Sequence, residues 1–171
     1  GLDYLYVDEG NDVDALIEAF EQVKDTDHPV VVHIRTLKGM GYAPAEADQE
    51  RWHWTMPFDI ATGELQCTPS GEDYNTLTAV HLLQRMKHDA KVCAITAGTP
   101  GIWGWTPERR REAAGQFVDV GIAEEEAVAL ASAMAKRGAH PVFSTYATFI
   151  QRTYDQLAQD LCVNGNAAVI N

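Results

Sequence analysis

The alternation of apolar strands with helices over residues 73–171 constrains the fold of this chain more than any other feature. Four short apolar runs, "KVCAIT", "FVDVGI", "PVFST" and "AAVIN", alternate with segments whose apolar residues recur at helical spacing. Such alternation is typical of a parallel sheet with helices on both faces. We therefore predict an α/β fold, and because the last strand coincides with the end of the chain, we expect that fold to be incomplete.

The first 42 residues predict one further helix and one further strand. Apolar residues recur at the spacing of an amphipathic helix after Asn11 or Asp12, either of which could cap it. They are Val13, Leu16, Ile17, Phe20 and Val23. The run "PVVVHIRT" is β-branched and nearly continuous, as expected for a strand covered on both faces. This part looks like the end of something larger, so we expect a fragment that joins two α/β domains.

A long stretch without periodicity separates these two parts. From Lys38 to about Asp73 the sequence is rich in glycine, proline and acidic residues. A compact domain rarely contains such a segment unless it is a linker or has a function. We interpret it as an interdomain connection.

Charge and cysteine content exclude several classes of function. The formal net charge is -12, and the only dense basic run is Arg109, Arg110 and Arg111, so binding to nucleic acid is not expected. No run of eighteen apolar residues and no signal peptide occurs, so we expect no membrane span and a cytoplasmic location. The three cysteines are far apart in sequence and indicate neither a disulfide framework nor a zinc site.

The glycine-rich loop "TAGTPGIWGWTPERR" allows two interpretations. Thr106 can cap a helix that starts at Pro107, and the start of that helix could bind an anion. The loop lacks the glycine spacing of the known phosphate-binding motifs. The pattern therefore favours an ordinary connection packed by Trp103 and Trp105.

Three consecutive carboxylates, Glu124, Glu125 and Glu126, precede an alanine-rich segment. Acidic residues in a first helical turn complement the helix dipole, which explains one or two of them. The segment that follows is apolar nearly all round, which predicts a helix packed on several sides. A carboxylate at its start is liable to be desolvated, and this makes it a candidate proton donor or acceptor.

Two further stretches are ambiguous by themselves. In "STYATFIQRTYDQ", the residues Tyr146, Phe149 and Tyr154 would ordinarily be core aromatics, and Arg152 would be solvated or ion-paired. His53 lies between two tryptophans, and its role is equally open.

Five stretches together resemble one known family. They are "GNDVDALIEAF", "VVVHIRTLKGMGYAPAEAD", "WHWTMPFDIATGE", "DVGIAEEEAV" and "YATFIQRTYDQ". In order and spacing they are similar to the transketolase-like thiamine diphosphate enzymes, and within them to the 1-deoxy-D-xylulose-5-phosphate synthase family. The resemblance implies that residues 1–42 end a diphosphate-binding domain, residues 43–72 connect it to the next domain, and residues 73–171 form a truncated pyrimidine-binding domain.

The resemblance also implies a reaction and its cofactors. Enzymes of this family are transferases that condense pyruvate with glyceraldehyde 3-phosphate, with loss of carbon dioxide, in isoprenoid precursor biosynthesis. They use thiamine diphosphate and Mg²⁺ and form homodimers. The motif that binds Mg²⁺ would lie upstream of this chain, which by itself is expected to be inactive.

Individual residues match the motifs of the family. Glu124 matches the glutamate that hydrogen-bonds the aminopyrimidine ring of the cofactor and promotes proton transfer, so the resemblance implies a catalytic role. By the same matching, Phe149 would pack on that ring and Tyr42 would contact the cofactor. His53 would shuttle protons or hold the carboxylate of the donor. The residues expected to line the substrate cavity are Tyr146, Arg152 and His53.

Other positions depart from the family pattern. Glu125 and Glu126 occupy positions where the family usually has Gln and His, and Asn11 stands where it has His. These departures leave two alternatives open: a transketolase-like enzyme with another ketose or keto-acid donor, or a non-catalytic paralogue used for association.

Overall fold

The structure, a computed structural model, describes residues 1–67 and 71–171. The chain divides into two compact units, Gly1–Pro69 and Ser70–Asn171. Residues 68–70 of the predicted connection lie outside the described residues. The two units are described one at a time.

The first unit is built on two parallel strands. Its elements, in chain order, are strand β1 (Asp3–Val7), helix α1 (Val13–Val23), strand β2 (Val30–Ile34), helix α2 (Ala43–Ala47) and a 3₁₀ turn (Arg51–His53). Asp12 caps α1, because its side chain accepts a hydrogen bond of 2.9 Å from the Ala15 backbone N–H. The predicted helix and strand are confirmed, while β1 was not predicted.

The prediction that the second strand is covered on both faces is wrong for the described residues. Along β2, half-buried residues alternate with exposed ones. The sheet of this unit has two strands, and so small a sheet cannot bury both faces of its strands. The apolar side of α1 is also incompletely buried, since Val13, Ile17 and Phe20 are at least half exposed.

The second unit is a four-stranded parallel sheet with helices on both faces, as predicted. Its strands lie in the order β4-β3-β5-β6, and every neighbouring pair is parallel. The elements up to the third strand are α3 (Tyr74–Met86), β3 (Val92–Thr96), α4 (Pro107–Ala113), β4 (Phe117–Asp119), α5 (Glu124–Lys136) and β5 (His140–Ser144). They are followed by α6 (Ala147–Ile150), a 3₁₀ turn (Gln151–Thr153), α7 (Tyr154–Gln156), a π-helix (Leu157–Val163) and β6 (Val169–Ile170).

Two apolar clusters cover the opposite faces of this sheet. Successive residues of a strand point to opposite faces, so Ala94 belongs to one cluster and Ile95 to the other. The first cluster includes Leu82, Leu83 and Met86 of α3 and the two tryptophans of the glycine-rich loop. The second includes Ala127, Val128 and Ala131 of α5 and Phe143 of β5.

The glycine-rich loop is an ordinary connection packed by tryptophans, as the sequence favoured. Trp105 is 1% exposed and Trp103 is 9% exposed. Gly104 has a φ of +75°, and a Cβ atom on it would come within 2.9 Å of the Thr76 Cα atom. The loop therefore needs glycine at this position both for its backbone conformation and for its close contact with α3.

The segment after β5, in which helical spacing of apolar residues predicts a helix, is not one regular helix. It is divided into α6, a 3₁₀ turn, α7 and a π-helix. Within the π-helix the Asp160 carbonyl accepts hydrogen bonds from the Ser132 hydroxyl at 2.7 Å and the Asn166 amide at 3.3 Å. The expectation that Tyr154 is a core residue is also wrong, because it is 77% exposed.

Candidate functional site

Glu124 is a buried carboxylate at the start of α5. It is 2% exposed, whereas the Glu125 side chain is partly exposed and Glu126 is exposed. Apolar residues of the same helix pack on the sheet, which draws the first turn of α5 towards β3 and β5. The expectation that a carboxylate at the start of this helix is buried therefore holds for Glu124 alone. The helix itself is not packed all round, since Ala133 is exposed.

Arg152 compensates the charge of Glu124. Its Nη1 atom donates a hydrogen bond of 2.9 Å to Glu124 Oε2, and its Nε atom lies 3.4 Å from Glu125 Oε1. A buried carboxylate is costly unless it is paired, so this guanidinium stabilises the burial of Glu124. The Arg152 side chain is 46% exposed, which leaves it in contact with solvent. Of the two roles left open by the sequence, the structure shows the ion-paired one.

Three aromatic rings lie next to one another in the same unit. The rings of Tyr146 and Phe149 are perpendicular, with centroids 5.4 Å apart, and Trp103 packs on Tyr146 at the same distance. Tyr146 and Phe149 are 38% and 39% exposed, so neither is a fully buried core aromatic. Part of each ring remains available to an aromatic ligand.

Asp119 joins the loops that follow two neighbouring strands. Its carboxylate accepts hydrogen bonds from the Thr96 hydroxyl at 2.7 Å, from the Gly98 N–H at 3.2 Å and from the Gly121 N–H at 2.8 Å. Gly121 opens the short loop that leads into Glu124. Asp119 was not among the site residues predicted from the sequence. Its position at the carboxyl end of a predicted strand, directly before the acidic triplet, was the available signal.

Tyr42 and His53 belong to the first unit. The Tyr42 ring packs on Trp52 and Phe58, with centroids 5.1 and 5.8 Å away. Its hydroxyl is buried and has no hydrogen-bond partner among the described residues. His53 is exposed, and its Nδ1 atom lies beside the Lys38 ammonium group.

The described residues form neither a cluster of metal ligands nor a membrane-spanning helix. Residues 1–67 and 71–171 contain no group of three or more His, Cys, Asp or Glu side chains that could hold a metal ion. No helix of the described chain is long and apolar enough to cross a membrane.

The fold and the site define a class of protein. Glu124 and the glycine-rich loop follow strands of a parallel α/β sheet, and Asp119 is the last residue of one; in such sheets ligands bind beyond the carboxyl ends of the strands. The family model of the transketolase pyrimidine-binding domain matches residues 73–170. The chain belongs to this family.

The chain is also similar to relatives that share one enzyme name. The chain is 40% identical to 1-deoxy-D-xylulose-5-phosphate synthase 1 of Geobacter sulfurreducens and 39% identical to 1-deoxy-D-xylulose-5-phosphate synthase of Clostridium beijerinckii. It is 38% identical to the synthase of that name from a Synechococcus strain. Each comparison covers 95% of this chain, and the chain spans about a quarter of the length of each relative.

Proposed function

We propose that this chain is part of a thiamine diphosphate-dependent transferase that condenses pyruvate with glyceraldehyde 3-phosphate to 1-deoxy-D-xylulose 5-phosphate, with loss of carbon dioxide. The observation that carries the proposal is Glu124, a carboxylate that is 2% exposed at the carboxyl edge of a parallel sheet. Its place in "VGIAEE" supports the role implied by the resemblance, and the names of the relatives support the reaction.

The residues present fit an aminopyrimidine ring. A ring nitrogen of that kind needs one hydrogen-bonding carboxyl group, which Glu124 provides, and an apolar surface on which to stack, which the half-exposed Phe149 provides. When bound, thiamine diphosphate supplies the electron sink for breaking the bond beside the carbonyl of the donor. The proposed Mg²⁺ would take its ligands from outside this chain, as the resemblance implies.

The proposed work of this chain is to hold and transfer a proton. Glu124 would hold a proton at the nitrogen of the aminopyrimidine ring, and Arg152 would keep that carboxylate oriented through its 2.9 Å hydrogen bond. Asp119 would fix the loop that presents Glu124. Tyr146 and Arg152 would line the substrate cavity.

The proposed roles of Tyr42 and His53 have separate support. The buried Tyr42 hydroxyl has no partner among the described residues, which suits a contact with the cofactor. His53 is exposed beside the Lys38 ammonium group, which suits the proposed role of shuttling protons or holding the carboxylate of the donor.

We also propose a domain assignment, an assembly and a location. Residues 1–42 would end the diphosphate-binding domain, residues 43–72 would form the connection, and residues 73–171 would form the pyrimidine-binding domain of a longer protein. The family match over residues 73–170 supports the last of these. The protein would act as a homodimer in the cytoplasm.

The test is carbon dioxide release from labelled pyruvate by a longer protein that contains this chain. The assay contains thiamine diphosphate and Mg²⁺, with and without glyceraldehyde 3-phosphate. We expect release that rises when the aldehyde is added. In Glu124→Gln the rate should fall roughly 10²- to 10⁴-fold, the usual contribution of a positioned acid or base.

The matched control is Glu126→Gln, which removes a carboxylate from the same helical turn at an exposed position. It should keep the activity of the unchanged protein. No release of carbon dioxide from pyruvate, or equal rates in Glu124→Gln and the control, would contradict the proposal. Turnover of a ketose phosphate in place of pyruvate would identify the transketolase alternative.

A further inference from the structure

Glu125 lies beside the cation that the proposed function assigns to the substrate cavity. Arg152 makes its hydrogen bond to the buried Glu124 through Nη1, and its Nε atom faces Glu125 Oε1 at 3.4 Å. The Glu125 side chain is 39% exposed and that of Arg152 is 46% exposed. The exposed part of the guanidinium is therefore shared between solvent and this second carboxylate.

The charges in this group do not favour an incoming anion. One guanidinium faces two carboxylates, so the three side chains together carry a net charge of -1 when all are ionised. The first carboxylate is buried and serves the proton transfer proposed above. The second is partly exposed and lies 3.4 Å from Arg152 Nε, where its negative charge repels any carboxylate or phosphate that approaches the guanidinium.

We propose that Glu125 is a specificity-determining residue that weakens the binding of oxyanions to Arg152. The inference rests on the proposed function, which places Arg152 in the substrate cavity. The ligands concerned are those with a carboxylate or a phosphate group. The charge of Glu125 lowers the affinity of the site for these anionic ligands. It therefore reduces their advantage over uncharged donors.

The kinetic test is Glu125→Gln in the longer protein. The substitution keeps the size of the side chain and its helix propensity and removes its charge. Glu125 and the bound oxyanion are two like charges beside one half-exposed guanidinium, so they repel each other. Removing the charge of Glu125 should therefore lower KM for the oxyanion substrate roughly three- to tenfold. The turnover number should change less than twofold, because the contact is the same in the ground state and the transition state.

Separate titrations of pyruvate and glyceraldehyde 3-phosphate identify the ligand. A lower KM for pyruvate alone assigns Arg152 to the carboxylate, and a lower KM for the aldehyde alone assigns it to the phosphate. The difference in KM between Glu125→Gln and the unchanged protein should become smaller at high salt, because salt screens the repulsion. The control is Glu126→Gln, which also removes one negative charge. Glu126 makes no ion pair among the described residues, so this substitution should leave KM for pyruvate and for glyceraldehyde 3-phosphate unchanged.

A second measurement does not depend on turnover. The Nε–H resonance of Arg152 is followed by NMR in this 171-residue chain while sodium phosphate or sodium pyruvate is added. We expect it to shift in Glu125→Gln at lower concentrations than in the unchanged chain or in Glu126→Gln. Equal responses in all three proteins would overturn the inference even if pyruvate is turned over. A shifted response without turnover would support the inference and contradict the proposed reaction.

Discussion

Replacing Arg152 by glutamine should destabilise the second unit, because it leaves the carboxylate of Glu124 buried without its cation. Glu124 is 2% exposed and accepts a hydrogen bond of 2.9 Å from Arg152. At about 4 Å between charge centres, an ion pair gains about 4 kcal/mol at an effective dielectric of 20 and about 1 kcal/mol in water. Since Arg152 is half exposed, we expect the free energy of unfolding to fall by about 1–3 kcal/mol.

The assay is urea unfolding of the chain followed by tryptophan fluorescence. Trp103 and Trp105 report on the second unit if Trp52 and Trp54 of the first unit are replaced by phenylalanine. For a domain of this size, the expected loss lowers the unfolding midpoint by roughly 1–2 M urea. The control is Arg111→Gln, which breaks an exposed ion pair of 3.0 Å with little expected change.

A double-mutant cycle tests whether the burial of charge is the cause. Glu124→Gln should be less destabilising than Arg152→Gln, because it removes the charge that needs a partner. In the double variant the two losses should not add, with a coupling energy of about 1–2 kcal/mol. Additive losses, or an Arg152 variant as stable as the Arg111 control, would refute the argument that Arg152 stabilises the buried carboxylate.

Three further substitutions test other parts of the second unit. Asp119→Ala should lower the free energy of unfolding by roughly 1–2 kcal/mol, because the Gly98 and Gly121 N–H groups lose a charged acceptor. Faster hydrogen exchange at Gly121 would locate the effect, and unchanged exchange there would contradict it. Gly104→Ala should cost roughly 2 kcal/mol or more in thermal unfolding, since its φ is +75° and the new Cβ would press on α3. Gly115→Ala, which meets no atom within 4 Å, is the neutral control, and equal melting temperatures would count against this account. The Thr76 N–H holds the pKa of Asp73 below its ordinary value, so this cap stabilises α3 above the unfolded-state pKa and is lost as the pH falls through the folded-state pKa. Asp73→Asn should therefore flatten the acid limb of a plot of melting temperature against pH, and an unaltered limb would exclude this contribution.

Helical and strand periodicity predicted most of the helices and strands of the second unit correctly. Ala79, Leu82, Leu83 and Met86 recur at helical spacing and are all buried in α3. Where periodicity failed, the cause lies in partners distant in the sequence. In the π-helix after β5, the Asp160 carbonyl accepts a hydrogen bond from the hydroxyl of Ser132, a residue of α5. No pattern in the local sequence predicts that contact.

Pattern and resemblance also gave the candidate residues, but not how they are arranged. The motif "IAEEE" indicates which three carboxylates matter, yet only packing distinguishes a buried Glu124 from an exposed Glu126. Tyr154 shows the opposite case, because its spacing suits a core residue and the folded chain leaves it exposed.

By itself, the sequence determined the parallel α/β architecture and the position of an acidic turn at the start of a helix. Both depend on interactions between residues close in the chain, which periodicity and capping record. Only the tertiary structure decided which carboxylate is buried, that Arg152 pairs with it, and that Asp119 joins two loops. Arg152 and Glu124 are 28 residues apart, and their contact exists only because the 3₁₀ turn Gln151–Thr153 packs against α5.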